Sequence, residues 1–277
     1  MYTKYLLFVA LIISISFAAC KQDKTGGAQQ SSALPTADIT HLTGHWIAMD
    51  FVSRANQYGS VLGAMNNAHA PYAFTVTFDP AFGDSVMCYN GIENYKLPYV
   101  IRVDTIELKG ARPGKSVFLV YDSQAQGQKD ITMFDGTSGK RTQVDRFIRS
   151  NSTVRDGYLA FLLALNHNLF SGQFTSLRKS NIKGPVVFAP TGALQNLPNY
   201  DRYELCTAGD CFVTGDEIDV MELYNSKQPD NRDFFGYRYG GDNDTLTIYN
   251  LINQKPDEKG AYTVGGVAYQ FLRKKPQ

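Results

Sequence analysis

From Trp46 onward the chain alternates apolar and polar positions in short runs. Trp46 to Val52 alternates loosely and predicts a first strand. Tyr72, Phe74, Val76 and Phe78 share one face of a second, which stops at Asp79-Pro80. Between these two runs the period changes: Tyr58, Val61, Leu62 and Met65 stand at helical spacing, so Arg54 to Asn67 predicts a short amphipathic helix. Turn residues then recur at short intervals, at Phe82-Gly83-Asp84, Asn90-Gly91, Gly110 to Gly114, Gly127 and Asp135 to Gly139. The runs they separate have strand character: Ser85 to Tyr89, Tyr95 to Val103, Thr105 to Lys109, Ser116 to Asp122, Asp130 to Phe134 and Gln143 to Arg149. Short strands at this spacing predict an antiparallel up-and-down meander. A meander of about eight strands with one apolar face commonly closes into a barrel, because closure removes edges that would otherwise pair with other chains.

The second half repeats this plan. Tyr158, Phe161, Leu162, Ala164, Leu165 and Asn166 follow Tyr58, Val61, Leu62, Ala64, Met65 and Asn66 at one constant offset, and Phe174-Thr175 follows Phe74-Thr75 at the same offset. Further on, Asp216-Glu217-Ile218 echoes Asp104-Thr105-Ile106, and Asp244 to Tyr249 echoes Asp130 to Phe134. Both passes end alike, in Phe147-Ile148-Arg149 and Phe271-Leu272-Arg273. The offset conflicts with itself in one place, since the closing strand of pass one falls where pass two needs its opening strand. Either Ser152 to Arg155 is a degenerate first strand, or Ser171-Gly172-Gln173-Phe174 opens the pass and the helix precedes it. The fold class read from this pattern is all-β with short helices, in two tandem antiparallel up-and-down barrels or half-open barrels. The first spans residues 39–150 and the second, opening with a short helix, residues 151–277.

The segment before residue 39 carries other information. Lys4, the apolar run Leu6 to Phe17 and the small residues Ala18-Ala19 form a secretory signal, too short and wrongly flanked for a spanning helix. Residues 21–38 are Lys, Gln, Asp, Gly, Ser, Ala and Pro with little to bury, the composition of a flexible tether. With 27 basic and 26 acidic residues, loss of Lys4 with the leader brings the charges into balance, and nothing predicts a nucleic acid or another strongly charged partner.

Four cysteines are present. Cys206 and Cys211 bracket a loop with turn chemistry, and outside the cytoplasm such a pair closes a hairpin as a disulfide. Cys88 reads as a small buried hydrophobe. There is no second cysteine pair and no histidine spaced to complete a metal site, so neither metal nor cofactor is expected. No nucleophile elbow, zinc-protease motif, phosphate loop or paired-cysteine redox motif occurs, and His41, His45, His69 and His167 are scattered, so the chain does not read as an enzyme.

Two resemblances sharpen the picture. Phe17-Ala18-Ala19-Cys20 looks like a bacterial lipobox, which implies that Cys20 is acylated, becomes the new N-terminus and anchors the chain to the cell envelope, at the outer membrane, on its periplasmic face or at the cell surface. Leu42-Thr43-Gly44-His45-Trp46 resembles the Leu-x-Gly-x-Trp opening of the lipocalins and the wider calycin superfamily. In that family the tryptophan lies across the closed end of the barrel and a basic residue at the end of the last strand packs on the indole. The resemblance assigns those roles to Gly44, Trp46 and Arg149, and more weakly to Phe174 and Arg273 in the second pass. It implies a small apolar ligand held inside a barrel, lined by residues such as Phe74, Val76, Phe118 or Val120. The alternative is a structural or adhesive surface lipoprotein with filled barrels, binding glycan or protein through exposed aromatic strands and loops. Phe235, Tyr237 and Tyr239 on one face of a strand are the candidate stacking platform.

Overall fold

A computed structural model of the chain describes residues 39–66, 71–113, 115–122, 127–137, 140–178, 181–207, 218–241, 243–254 and 262–275. The signal segment, Cys20, the tether, His69 and Cys211 lie outside the described residues. The described strands form two closed barrels of eight strands, each strand antiparallel to its neighbours in chain order.

The first barrel runs β1 (Gly44–Ala48), β2 (Thr75–Phe78), β3 (Ser85–Tyr89), β4 (Asn94–Arg102), β5 (Thr105–Arg112), β6 (Lys115–Val120), β7 (Asp130–Thr137) and β8 (Lys140–Arg149). It closes by β8 returning to β1, with Arg149 opposite Trp46 and Phe147 opposite Ala48. Helices α1 (Met49–Tyr58) and α2 (Val61–Met65) are inserted between β1 and β2, and α3 (Gly157–Leu169) lies between the barrels in the chain. The second barrel runs β9 (Gly172–Ser176), β10 (Val186–Phe188), β11 (Ala193–Leu197), β12 (Tyr200–Leu205), β13 (Asp219–Asn225), β14 (Gln228–Gly240), β15 (Thr245–Asn253) and β16 (Tyr262–Arg273), and β16 closes on β9 with Arg273 opposite Phe174.

The barrel interiors are filled by side chains. In the first, Trp46, Val76, Val86, Cys88, Ile106, Leu119, Met133 and Phe147 are all excluded from solvent. In the second, Phe170, Phe174, Phe188, Tyr203, Tyr237 and Phe271 touch one another ring to ring. An eight-stranded barrel is just wide enough for its own side chains to fill, and large aromatic residues at inward positions do so here.

The structure revises several sequence expectations. The continuous helix over residues 54–67 is two helices beginning earlier, because Gly59 takes a left-handed φ of 62° that ends α1 and the Ser60 hydroxyl accepts from the Gly63 N–H to start α2. The first strand accordingly ends at Ala48 rather than Val52. The constant offset linking Tyr58 to Tyr158 is not a structural equivalence: α1 follows the opening strand of its barrel and α3 precedes that of the other. Of the two possible openings for the second pass, the structure uses the one that contains Gly172-Gln173-Phe174. Phe118 and Val120 face outward, since the inward face of β6 carries Val117 and Leu119; Phe118 lies instead under the Arg141 guanidinium at 4.2 Å. Both faces of β6 are apolar, and a strand shifted by one residue exchanges them. The proposed stacking platform is not exposed: Phe235 and Tyr237 are buried and Tyr239 is packed into the barrel floor.

Among the described residues there is no disulfide; Cys88 and Cys206 are both buried, and the thiol of Cys88 is pushed up to about 12 by burial, against a hydrogen bond with Tyr95.

Candidate functional site

At the start of each barrel the chain makes the same latch. Gly44 and Gly172 take φ of 130° and 146°, values that favour glycine, as the first residues of β1 and β9, opposite Phe78 and Phe188. The Arg149 guanidinium stands 5.0 Å from the Trp46 ring and donates through Nη2 to the His41 carbonyl, while the indole N–H donates to the Leu42 carbonyl at 2.7 Å. In the second barrel Arg273 stands 5.0 Å from the Phe174 ring and donates to the Leu169 carbonyl. Phenylalanine has no N–H to offer. The polar contacts on that side come from Tyr239, whose hydroxyl donates to the Leu169 carbonyl at 3.0 Å and lies 2.9 Å from Arg273 Nη2. Gly44, Trp46, Arg149, Phe174 and Arg273 are thus brought together in pairs at the two floors, and their contacts are structural.

One groove among the described residues lies between α3 and the second barrel. α3 starts at Asp156, whose carboxylate accepts from the Tyr158 N–H at 2.8 Å. Its sequence is apolar almost all round, so it has two faces to cover. One face, with Gly157, Ala160, Phe161 and Leu165, is buried and packs on β1, β2 and β3; Phe161 stacks on Phe74 at 4.9 Å, and Gly157 is required because a Cβ there would lie 2.9 Å from both Thr75 Oγ1 and Thr77 Oγ1. The other face, with Leu159, Leu162 and Leu163, forms one wall of a groove of about 470 Å³ whose opposite wall is Tyr203, Glu204, Tyr224 and Arg232 of the second barrel. Leu159 remains 45% exposed.

The polar rim of this groove follows from strand register. Glu204 on β12 stands directly opposite Glu222 on β13, and Tyr224 opposite Arg232 on β14. Like charges across a strand pair repel, and the Arg232 Nη1 offsets this by donating to both carboxylates, at 2.9 Å to Glu204, with the guanidinium 4.4 Å from the Tyr224 ring. The two carboxylates hold the already basic guanidinium still more firmly in its charged form. The Tyr158 hydroxyl donates to the other Glu204 oxygen, and burial with that carboxylate beside it raises the phenol above its ordinary range. Tyr158 also separates the groove from a smaller hollow of about 270 Å³ reached past Tyr89, Gly91 and Thr207.

None of the ligand, latch or cysteine residues named from the sequence lines this groove, and Tyr158, Leu162 and Asn166, which do, were singled out only for their helical spacing. Its contributors required strand register to find; the all-apolar pattern of α3 was the available signal. Among the described residues no group of His, Cys, Asp or Glu could hold a metal ion. His45 is tied to Thr77 Oγ1 at 2.8 Å and the Val154 carbonyl at 3.0 Å. Compared with family models, curated proteins and solved structures, the chain matches none. The two closed barrels fit a tandem lipocalin-like arrangement, a fold compatible with ligand binding.

Proposed function

We propose that the protein is a lipid-anchored binding protein of the bacterial cell envelope, without catalytic activity, that holds a small amphipathic molecule in the groove between α3 and the second barrel. The carrying observation is α3 itself. Its outward leucines, Leu159 above all, face a groove of about 470 Å³, within the roughly 300–1,000 Å³ of small-molecule sites. An apolar wall opposite a rim of Glu204, Arg232 and Tyr158 suits a ligand with an apolar body and a hydrogen-bonding head. The filled interiors favour this groove over the inside of a barrel, the place the lipocalin resemblance suggested. The lipobox-like Phe17-Ala18-Ala19-Cys20 and the polar tether support the anchored placement.

Native mass spectrometry of protein purified without detergent tests this reading. A stoichiometric apolar or amphipathic molecule is expected on the wild type and is expected to be lost from a Leu159→Asp variant, whose exposed position leaves folding intact. If the protein flies empty and a panel of fatty acids, sterols and bile acids leaves its melting temperature unchanged, the groove is not a ligand site.

A further inference from the structure

A second hollow, of about 410 Å³, lies where the β11–β12 and β13–β14 turns meet, and its walls are of a different kind. Asn199, Asn225, Gln228 and Asn231 surround it with amides, Tyr200 adds an aromatic ring, and Asp233 and Lys227 contribute one charge of each sign. The frame is rigid. Asp201 accepts from both the N–H and the hydroxyl of Ser226 at 2.6 Å, tying one turn to the other, and the Tyr200 hydroxyl donates to Asp233 at 2.7 Å while its ring meets Phe235 edge-on at 6.0 Å.

Asn199 and Asn225 serve their turns: Asn199 takes a φ of 71°, and Asn225 accepts from the Lys227 N–H. Gln228 and Asn231 have no such duty. The β13–β14 pairing slips between Tyr224, opposite Arg232, and Asn225, opposite Gln228, so residues 229–231 bulge out of the ladder. The Arg232 Nε–H holds the bulge by donating to the Pro229 carbonyl at 3.0 Å. Bulges re-aim side chains, and this one sets Asn231 at the wall of the hollow. Among the described residues the side chains of Asn199, Gln228 and Asn231 make no hydrogen bond within the protein, so their donors and acceptors are available to a ligand.

We propose that this hollow binds the end of a neutral saccharide. The amides of Asn199, Gln228 and Asn231 each present a donor beside an acceptor, the pattern that answers adjacent hydroxyls on a sugar ring, while Asn225 is held by the Lys227 N–H and the Asn199 carbonyl. The lining has no arginine, and its single ammonium is balanced by its single carboxylate, which disfavours an anionic ligand; the polar walls disfavour an apolar one. Tyr200 supplies the apolar edge against which a sugar's C–H face packs. The site is separate from the groove along α3 and does not rest on it.

The test is an array of neutral and anionic mono- and oligosaccharides, with positives titrated by saturation-transfer NMR. Neutral saccharides are expected to bind wild type, and a Gln228→Ala/Asn231→Ala variant, both positions being exposed, is expected to raise Kd at least tenfold with an unchanged melting temperature. Leu159→Asp in the other groove is expected to leave saccharide binding unaltered, so the two sites fail separately. The proposal is overturned if no neutral saccharide binds above background, if only anionic ones do, or if the double variant binds like wild type.

Discussion

Arg149 lies over the Trp46 ring and reaches the His41 carbonyl through Nη2, so an Arg149→Ala variant removes a cation-π contact and strips a partner from a backbone carbonyl at once. A loss of about 1–3 kcal/mol is expected, measured by denaturant titration followed through the fluorescence of Trp46, the one tryptophan in the chain. Asp145 offers a different lever. Its side chain is fully buried on β8, accepts from the Asp50 N–H at the start of α1 and pairs with Arg54 at 3.2 Å. Burial pushes its carboxyl from 3.8 up to about 7, against the opposing pull of Arg54. A carboxyl that binds its proton more tightly folded than unfolded adds stability that is full below pH 3.8 and is lost as pH rises through about 7. Comparing wild type with Asp145→Asn by denaturation from pH 4 to 8 isolates this contribution. The stability difference is expected to shift against wild type with rising pH, by up to ~1.4 kcal/mol per pH unit.

At the level of elements, the seam between barrels depends on close backbone approach. Gly91, in the β3–β4 turn, has a φ of 102°, and a Cβ there would lie 2.5 Å from the Thr207 carbonyl and 2.8 Å from the Phe74 ring. Gly91→Ala is therefore expected to cost about 1–3 kcal/mol and to loosen the Tyr89–Thr207 hydrogen bond of 3.0 Å, seen as a lowered melting temperature with both barrels retained by circular dichroism. The strands β3 to β8 were legible in the sequence because Asn90-Gly91 and its counterparts punctuate a clear alternation. The closing pair Trp46 and Arg149 was nameable from family resemblance. The helices were legible too, but not the order of helix and opening strand in the second pass: apolar helical spacing at Tyr158 looks like that at Tyr58 whichever side of the opening strand a helix lies on. The groove was hidden for a related reason, since Glu204 and Glu222 become neighbours only once β12 and β13 are in register.

Across the molecule, the barrels are joined by more than α3. Asn243 of the second barrel donates to the carbonyls of Asn56 and Gln57 at the end of α1, and Asp219 accepts from the Leu62 N–H at the start of α2, so the helical insert of one barrel is capped by the other. All described residues fall in one compact unit. Thermal unfolding is expected to be a single transition, with Trp46 fluorescence, which reports the first barrel, coinciding with far-ultraviolet circular dichroism, which reports both; an Asp219→Ala/Asn243→Ala variant is expected to separate the two curves.

The capping of α1 and α2 by Asp219 and Asn243 also bears on how the chain is made. During synthesis the strands of the first barrel are complete once Arg149 has emerged, yet the outer side of β1 to β3 waits for α3 and the helical insert waits for residues almost a hundred positions further on. The first half is born unfinished, with Phe51 and Phe74 short of Phe161, their later partner, and a stop codon after the eighth strand would leave that aromatic flank unsealed.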